Sequence, residues 1–388
     1  MKQLKVLVFS ASFGNGHLRA AEAVIEGIRI KEPTAEIIHL DFGDFLNKAV
    51  NTMIKNVYGE IINHIPKLWG RFYYRTSMVK PQSVGQRFLN KLGRKEFINY
   101  VNVLKPDLII CTYPTVSSVL AQLRQEKILG VPVITIVTDY TLHSHWVHPS
   151  VDRYIVACPE VRESLLSWGI ENWRIHDSGI PVSPKFEETI DRNKVLSQLG
   201  LKPDQPILLV MGGSYGVLKS ANRICKNLAE SIIPVQTIIV CGKNEKLYHS
   251  LKEVITQTKN PLVRLKYVHN VEELMSVSNL IITKAGGLTV SEALTKHLPL
   301  LIYKPIPGQE EENAHFIQKI GAGVVAETEA ELNRLINYLL RCPEEVDKMR
   351  EKATAALPGH STQRAVEEIL ELVNNRDYSL NMMGVKGS

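Results

Sequence analysis

The chain has 388 residues, of which 44% are apolar and 22% charged; this is too long for one ordinary domain and too apolar for a disordered, collagen-like or coiled-coil chain. Lysine and arginine total 46 against 40 aspartates and glutamates, a net charge of +6 that suggests an anionic partner without naming one. Nucleic acid, a phosphorylated substrate and an anionic membrane surface all stay open on charge alone.

The first 45 residues read as strand, glycine loop, helix, strand. Lys5–Phe9 is a short β-rich apolar run, and it gives way to Gly14-Asn15-Gly16, which marks a first strand and not a signal peptide. Leu18, Ala21, Val24, Ile25 and Ile28 share one helical face, and Glu36–Leu40 reads as a second strand. Asp107–Cys111, Val133–Val137 and Tyr154–Val156 continue the alternation. Gly179-Ile180-Pro181-Val182-Ser183-Pro184 then breaks it, because two prolines and a glycine in six residues suit neither helix nor strand. Beyond it, Ile207–Val210, Thr237–Val240, Leu262–Tyr267, Leu280–Thr283 and Leu300–Tyr303 restart the rhythm. Ala365, Ile369, Leu370 and Val373 make His360–Asn374 an amphipathic helix.

Strands separated by helical patterns imply βαβ units and parallel sheets. The expected class is therefore α/β, with two Rossmann-like doubly wound domains. The N-terminal domain is expected over 1–178, a hinge over 179–184 and the C-terminal domain over 185–358, with a helix at 359–376 packing back on the N-terminal domain. No apolar stretch approaches the roughly 18–20 residues of a membrane helix. The five cysteines are odd in number, well separated and free of any C-x-x-C pair, so they read as free thiols in a reducing cytosol.

Ligands of doubly wound sheets bind beyond the C-terminal ends of the strands. Three glycine loops lie there. The first, Ser10-Ala11-Ser12-Phe13-Gly14-Asn15-Gly16-His17, suits an anion at a helix start. It is also open to a dinucleotide reading, with Ala20 in place of the third glycine and Asp41 as the ribose acid, although His17 is unexpected there. The second, Met211-Gly212-Gly213-Ser214-Tyr215-Gly216, is followed by Lys219-Ser220, but Leu218 stands where a triphosphate-binding loop requires glycine. The third is Thr283-Lys284-Ala285-Gly286-Gly287. Two glycine-rich helix starts in one domain can converge on a diphosphate, with Thr289 and Ser291 supplying hydroxyls and Glu292 suited to a ribose diol. Gln309, Glu310 and Asn313, after the next strand, offer donors and acceptors for sugar hydroxyls, or else a solvated helix start.

Gly14-Asn15-Gly16-His17, Gly212-Gly213-Ser214-x-Gly216, Lys284-Ala285-Gly286-Gly287-x-Thr289-x-Ser291-Glu292-Ala293 and Pro307-Gly308-Gln309-Glu310-x-x-Asn313 together resemble the monogalactosyldiacylglycerol synthase and processive diacylglycerol glucosyltransferase family. That group is related to the peptidoglycan N-acetylglucosaminyltransferase. The resemblance runs from about residue 4 to residue 370 and is strongest toward the bacterial diacylglycerol glucosyltransferases, through Trp146-Val147-His148, Val240-Cys241-Gly242-Lys243-Asn244 and Tyr303-Lys304-Pro305. It implies a GT-B fold, with the two domains facing a cleft. It also implies inverting transfer of glucose from a UDP-hexose donor to a diacylglycerol acceptor. A galactose donor, an N-acetylglucosamine transferase of peptidoglycan type and a non-catalytic UDP-sugar sensor are the alternatives.

By motif, the resemblance assigns the donor to Gly16, Gly213, Ser214, Gly216, Gly287 and Thr289, with Glu292 at the ribose and Gln309, Glu310 and Asn313 at the sugar. His17 is the expected base or acceptor-orienting residue, with Asp139 as competitor. No cofactor and no metal is expected, since helix termini and backbone amides can neutralise the departing UDP.

Thr138-Asp139-x-x-x-His143-x-x-Trp146-x-His148 matches the family pattern, which places His143, Trp146 and His148 on the acceptor side. The segment lacks the paired helical spacing of a zinc site. Finally, the thirty residues from Pro66 to Lys95 hold eight basic side chains and no acidic one, so the rest of the chain is net −2. Lys67, Arg71, Arg75, Lys80 and Arg87 alternate there with Trp69, Phe72, Tyr73 and Tyr74. With a diacylglycerol acceptor implied, the segment reads as a docking face for the cytoplasmic face of the cell membrane, the protein being peripheral, and not as a nucleic-acid surface.

Overall fold

The computed structural model describes residues 3–11, 15–41, 43, 65–77, 94–213, 218, 220–256, 258–357 and 359–382. The chain forms two compact units, Met1–Pro184 with His360–Ser388, and Lys185–Gly359.

The first unit is built on six parallel strands: β1 (Lys5–Ser10), β2 (Glu36–Asp41), β3 (Leu108–Cys111), β4 (Val133–Ile136), β5 (Arg153–Ile155) and β6 (Ile175–His176). Their order across the sheet is β2-β1-β3-β4-β5-β6. β3 and β4 are buried along their whole length and β1 from its second residue on, which is why they read as unbroken apolar runs instead of alternating ones. Helix α1 (Asn15–Lys31) follows β1 and buries Ala20, Ala21, Val24, Ile25 and Ile28. Helix α2 (Pro66–Ser77) lies in the basic segment and is mostly solvent-facing, with Gly70 its only buried residue.

The second unit repeats the plan with β7 (Ile207–Met211), β8 (Gln236–Val240), β9 (Leu262–Leu265), β10 (Leu280–Thr283), β11 (Leu300–Tyr303) and β12 (Gly323–Ala326). The order β12-β11-β10-β7-β8-β9 is the dinucleotide-fold order read from its other edge. Helix α3 (Gly287–Thr295) follows β10, and α4 (Gln309–Ile320) follows β11.

β6 and β12 escape a sequence reading for physical reasons. A two-residue strand shows no period. β12 opens on Gly323, a poor strand residue by propensity. There the neighbouring strand decides: a Cβ at Gly323 would lie 2.4 Å from the Leu300 carbonyl oxygen, so only glycine lets β12 pair with β11.

The C-terminal helix α5 (Ser361–Met382) belongs to the first unit and packs on α1. A Cβ at Gly27 would meet Thr362 Cγ2 at 2.6 Å, so glycine sets the closeness of the two helices. Val24 and Ile28 share a core cluster with Ala365, Val366 and Ile369. Arg153 donates to the Glu368 carbonyl at 2.7 Å and to its carboxylate at 2.9 Å, and Arg364 donates to the Asp177 carbonyl at 2.8 Å. The stretch Gly179–Pro184, expected as a hinge, also lies in the first unit, where Ser183 donates to Glu26 on α1 at 2.8 Å.

Each sheet has one point where the chain reverses its direction of travel across the strands. These lie between β1 and β3 in the first unit and between β7 and β10 in the second. Loops leaving such a pair diverge and open a crevice at the C-terminal strand ends.

Candidate functional site

At the first crevice, residues just past the ends of β1, β3 and β4 meet. His17 is in the first turn of α1. Its backbone carbonyl accepts from Thr112 Oγ1 at 2.9 Å, and its Nδ1 lies 2.9 Å from Thr138 Oγ1. Both threonines are buried. The imidazole meets Tyr113 edge-on at a ring distance of 5.1 Å and has Trp146 at 6.2 Å. Removal from water disfavours the charged ring, so the His17 pKa falls to about 4, and the ring is neutral at pH 7. A hydrogen bond with the Thr112 backbone favours the charged ring and opposes burial, but more weakly. Asp139, next to Thr138, is 5% exposed.

The loop from Thr138 to His148 is held by its own groups. His143 Nδ1 accepts the His145 N–H at 3.2 Å, so Nε2 carries the proton and donates toward Thr76 Oγ1 at 3.2 Å and the Tyr73 carbonyl at 3.3 Å. His148 Nε2 lies 2.9 Å from the His145 carbonyl. Burial takes the pKa of both His143 and His148 down to about 4. At the centre stands Tyr154. Its phenol accepts the His148 N–H at 2.8 Å and donates to the carbonyls of Trp146 and His148, each at 3.0 Å. His143, Trp146 and His148, expected to face an acceptor, are all buried, with Trp146 only 2% exposed. Among the described residues no group of three histidine, cysteine, aspartate or glutamate side chains is arranged to hold a metal.

The same loop grips α2. Ser144 Oγ donates to the Thr76 carbonyl at 2.9 Å, and the Tyr73 and His143 rings lie 4.7 Å apart. Lys67, Leu68, Arg71, Phe72, Tyr74 and Arg75 stay exposed on α2, while Trp69 is half-buried and 5.8 Å from Phe72. Lys80 and Arg87 lie outside the described residues.

At the second crevice the backbone dominates. Gly213 follows β7 with φ +76°, a left-handed conformation that suits glycine. Ser214 and Gly216 lie outside the described residues. After β10, Gly286 caps α3 with extended backbone and Gly287 opens it, which aims unpaired N–H groups at the crevice. After β11, Gly308 adopts φ +99°, ψ −123°, a region essentially closed to other residues, and turns the chain into α4.

Three side chains tie these loops together. The buried Asn313 amide donates to the Ala285 carbonyl at 3.0 Å. Glu310 accepts the Ile306 N–H at 3.0 Å, and its other oxygen is 3.9 Å from Lys284 Nζ. Burial raises the Glu310 pKa, against the pull of Lys284. Asn313 and Glu310, expected at the sugar, thus make loop-holding bonds. Thr289 and Gln309 are half-buried in the first turns of α3 and α4, Glu292 is half-buried farther along α3, and Gly16 is half-buried in the first turn of α1.

In the sequence Thr138 stands in a motif with no role assigned, Tyr154 shows only as a strand residue, and Thr112 carries no motif. The signal was position: Thr112 directly follows β3, and Thr138 comes two residues after β4.

Residues 17–182 match the family described as Monogalactosyldiacylglycerol (MGDG) synthase, and residues 207–372 match the Glycosyltransferase family 28 C-terminal domain. A Bacillus pumilus protein named processive diacylglycerol beta-glucosyltransferase is 30% identical over 379 residues, covering 97% of this chain and 98% of that protein. The crystal structure of Acinetobacter baumannii MurG superposes with a TM-score of 0.61 at 17% identity, over 95% of this chain and 100% of that one. A UDP-GlcNAc 2-epimerase from Neisseria meningitidis gives 0.59 at 16% identity, over 95% of this chain and 100% of that one. These likenesses give the fold as GT-B. They leave the reaction open, because a transferase and an epimerase share that fold.

Proposed function

The chain belongs to the monogalactosyldiacylglycerol synthase and processive diacylglycerol beta-glucosyltransferase family, and on that premise we propose that it is an inverting glycosyltransferase moving glucose from UDP-glucose to the hydroxyl of diacylglycerol. The product is beta-glucosyl-diacylglycerol, a membrane glycolipid. The observation that carries this reading is kinship along the whole chain to a protein of that name, with the motif residues of both halves at the strand ends.

The chemistry assigns a task to each unit. In the first, neutral His17 takes the proton of the diacylglycerol hydroxyl as that oxygen attacks the anomeric carbon. Asp139 is the second candidate for this role. In the second, Gly213, Ser214, Gly216 and Gly287 approach the diphosphate, Thr289 and Glu292 hold the ribose, and Gln309 and Glu310 face the sugar. Asn313 serves the donor through the Ala285 carbonyl. As the bond from sugar to UDP breaks, helix N-termini and backbone N–H groups stabilise the departing charge, and the scheme uses no metal.

The exposed basic and aromatic face of α2 supports docking on an anionic membrane surface from the cytoplasmic side. No helix among the described residues is long and apolar enough to cross a membrane. Docking brings the enzyme to an acceptor that does not leave the bilayer.

The test is incubation with diacylglycerol vesicles and radiolabelled UDP-glucose, UDP-galactose or UDP-N-acetylglucosamine, followed by separation of the lipids. Label in a monoglycosylated diacylglycerol with UDP-glucose is the expected result, faster on anionic than on neutral vesicles. Label from UDP-galactose alone would change the donor. No labelled lipid from any donor would overturn the enzyme reading.

A further inference from the structure

A histidine acts as a base only through an unprotonated ring nitrogen, and a neutral imidazole has one. Which nitrogen is free depends on the partner of the other. In this chain the partner of Nδ1 is the Thr138 hydroxyl at 2.9 Å, 121 positions away in sequence and buried at 4% exposure. The imidazole is braced from two further sides. Thr112 fixes the backbone carbonyl of His17, and the Tyr113 ring stands edge-on to the imidazole.

We infer that Thr138 is a positioning residue that accepts the Nδ1–H of His17 and so leaves the Nε2 lone pair for the acceptor hydroxyl. This rests on the glycosyltransferase reading. The opposite arrangement, with Thr138 donating to Nδ1, would put the proton on Nε2 and leave the ring no free nitrogen. In the step proposed, the alcohol oxygen forms its bond to the anomeric carbon, the bond from that carbon to UDP breaks, and UDP keeps the electron pair. The alcohol proton passes to Nε2. The ring is then an imidazolium, and the Nδ1–H bond to Thr138 becomes charge-assisted and stronger, so Thr138 favours the transition state over the resting state. A neutral hydroxyl in this place, where many enzymes hold a carboxylate, leaves the unprotonated ring dominant at neutral pH. The buried surroundings act in the same direction.

The test uses the full-length protein, with Thr138→Val as the near-isosteric loss of the hydroxyl and Thr138→Ser as its restoration. Turnover should fall about 10- to 100-fold in Thr138→Val, with UDP affinity unchanged, and recover largely in Thr138→Ser. A Thr138→Val enzyme within twofold of wild type would overturn the inference, as would a serine variant no better than the valine one. A second readout needs no turnover. Ring-nitrogen NMR of histidine-labelled protein, with the His17 signals identified by their loss in His17→Gln, should show Nδ1 protonated in wild type. In Thr138→Val it should show a shift toward the Nε2–H form. Nε2 protonated in the wild-type protein would contradict the assignment. Failure of wild type to glycosylate any lipid would fall on the glycosyltransferase reading alone, and the spectrum would still decide the role of Thr138.

Discussion

Around His17 the first unit gathers side chains. Thr138 and Thr112 bond the residue, Tyr113 and Trp146 pack on its ring, and burial holds the imidazole neutral. Around the β7–β10 crevice the second unit gathers backbone. Gly213, Gly286 and Gly308 shape the loops, and side chains such as Asn313 serve mainly to hold them. Under the proposed function the difference follows from two tasks. Moving a proton needs one group of defined basicity, which only a side chain in a chosen environment provides. Holding a diphosphate needs many weak donors on one spot, which backbone N–H groups supply without a charged side chain. The first site should therefore be sensitive to side-chain chemistry and pH, and the second to backbone conformation.

The largest expected effect is at His17. His17→Ala should lower turnover by about 100- to 10,000-fold while calorimetry shows UDP bound as in wild type. A parallel loss of UDP affinity would erase the contrast between the units.

Next is stability against pH. His143 and His148 have folded pKa values near 4, below the ordinary 6.5. Each binds its proton more readily in the unfolded chain, so stability is full above pH 6.5 and is lost as pH falls toward 4. Linkage gives at most about 2 kcal/mol for each histidine between pH 7 and pH 5. Thermal melts should show this loss, and a His143→Gln, His148→Gln double variant should reduce it, the His17 contribution remaining.

Glu292→Ala should weaken UDP binding about tenfold, the cost of a charged hydrogen bond to a ribose. The acid limb of its pH–rate profile should match that of wild type; a moved limb would mean that acid–base chemistry also depends on the second unit.

The smallest effect is at Gly213. Among the described residues a Cβ there meets nothing within 4 Å, so Gly213→Ala tests chiefly backbone conformation. The cost should be about 1 kcal/mol in chemical denaturation, with UDP affinity lowered and the pH profile unmoved.

Much of this was legible in the sequence because it lies in local pattern. The β3, β4, β7, β10 and β11 runs are continuous and apolar, and glycines follow β7 and β10 where the chain must turn tightly. The positions of Gly213 just past β7 and of Gly287 at the start of α3 followed from those runs. What stayed illegible depends on approach across the fold. Nothing in the composition of Thr138-Asp139 shows that a hydroxyl 121 positions away reaches His17. Trp146, His143 and His148 read as acceptor-side residues, and their joint burial does not show in the sequence, because aromatic and imidazole side chains suit ligands and packing equally. Tyr154, in the middle of β5, gathers this loop by bonding the Trp146 and His148 backbones through its phenol. The bond from Asn313 to the Ala285 carbonyl is hidden for a similar reason, since an amide can serve a hydroxyl or a carbonyl.

The central claim is that burial keeps His17 neutral as the base of the first unit, while Thr138 fixes which ring nitrogen is free. A ring with a pKa near 4 is fully available at pH 7 at the expense of proton-transfer driving force. The most direct test is an NMR pH titration of the His17 ring in the full-length protein. The account predicts a midpoint near 4, with Nε2 unprotonated above it. A midpoint at 6.5 or higher would contradict it.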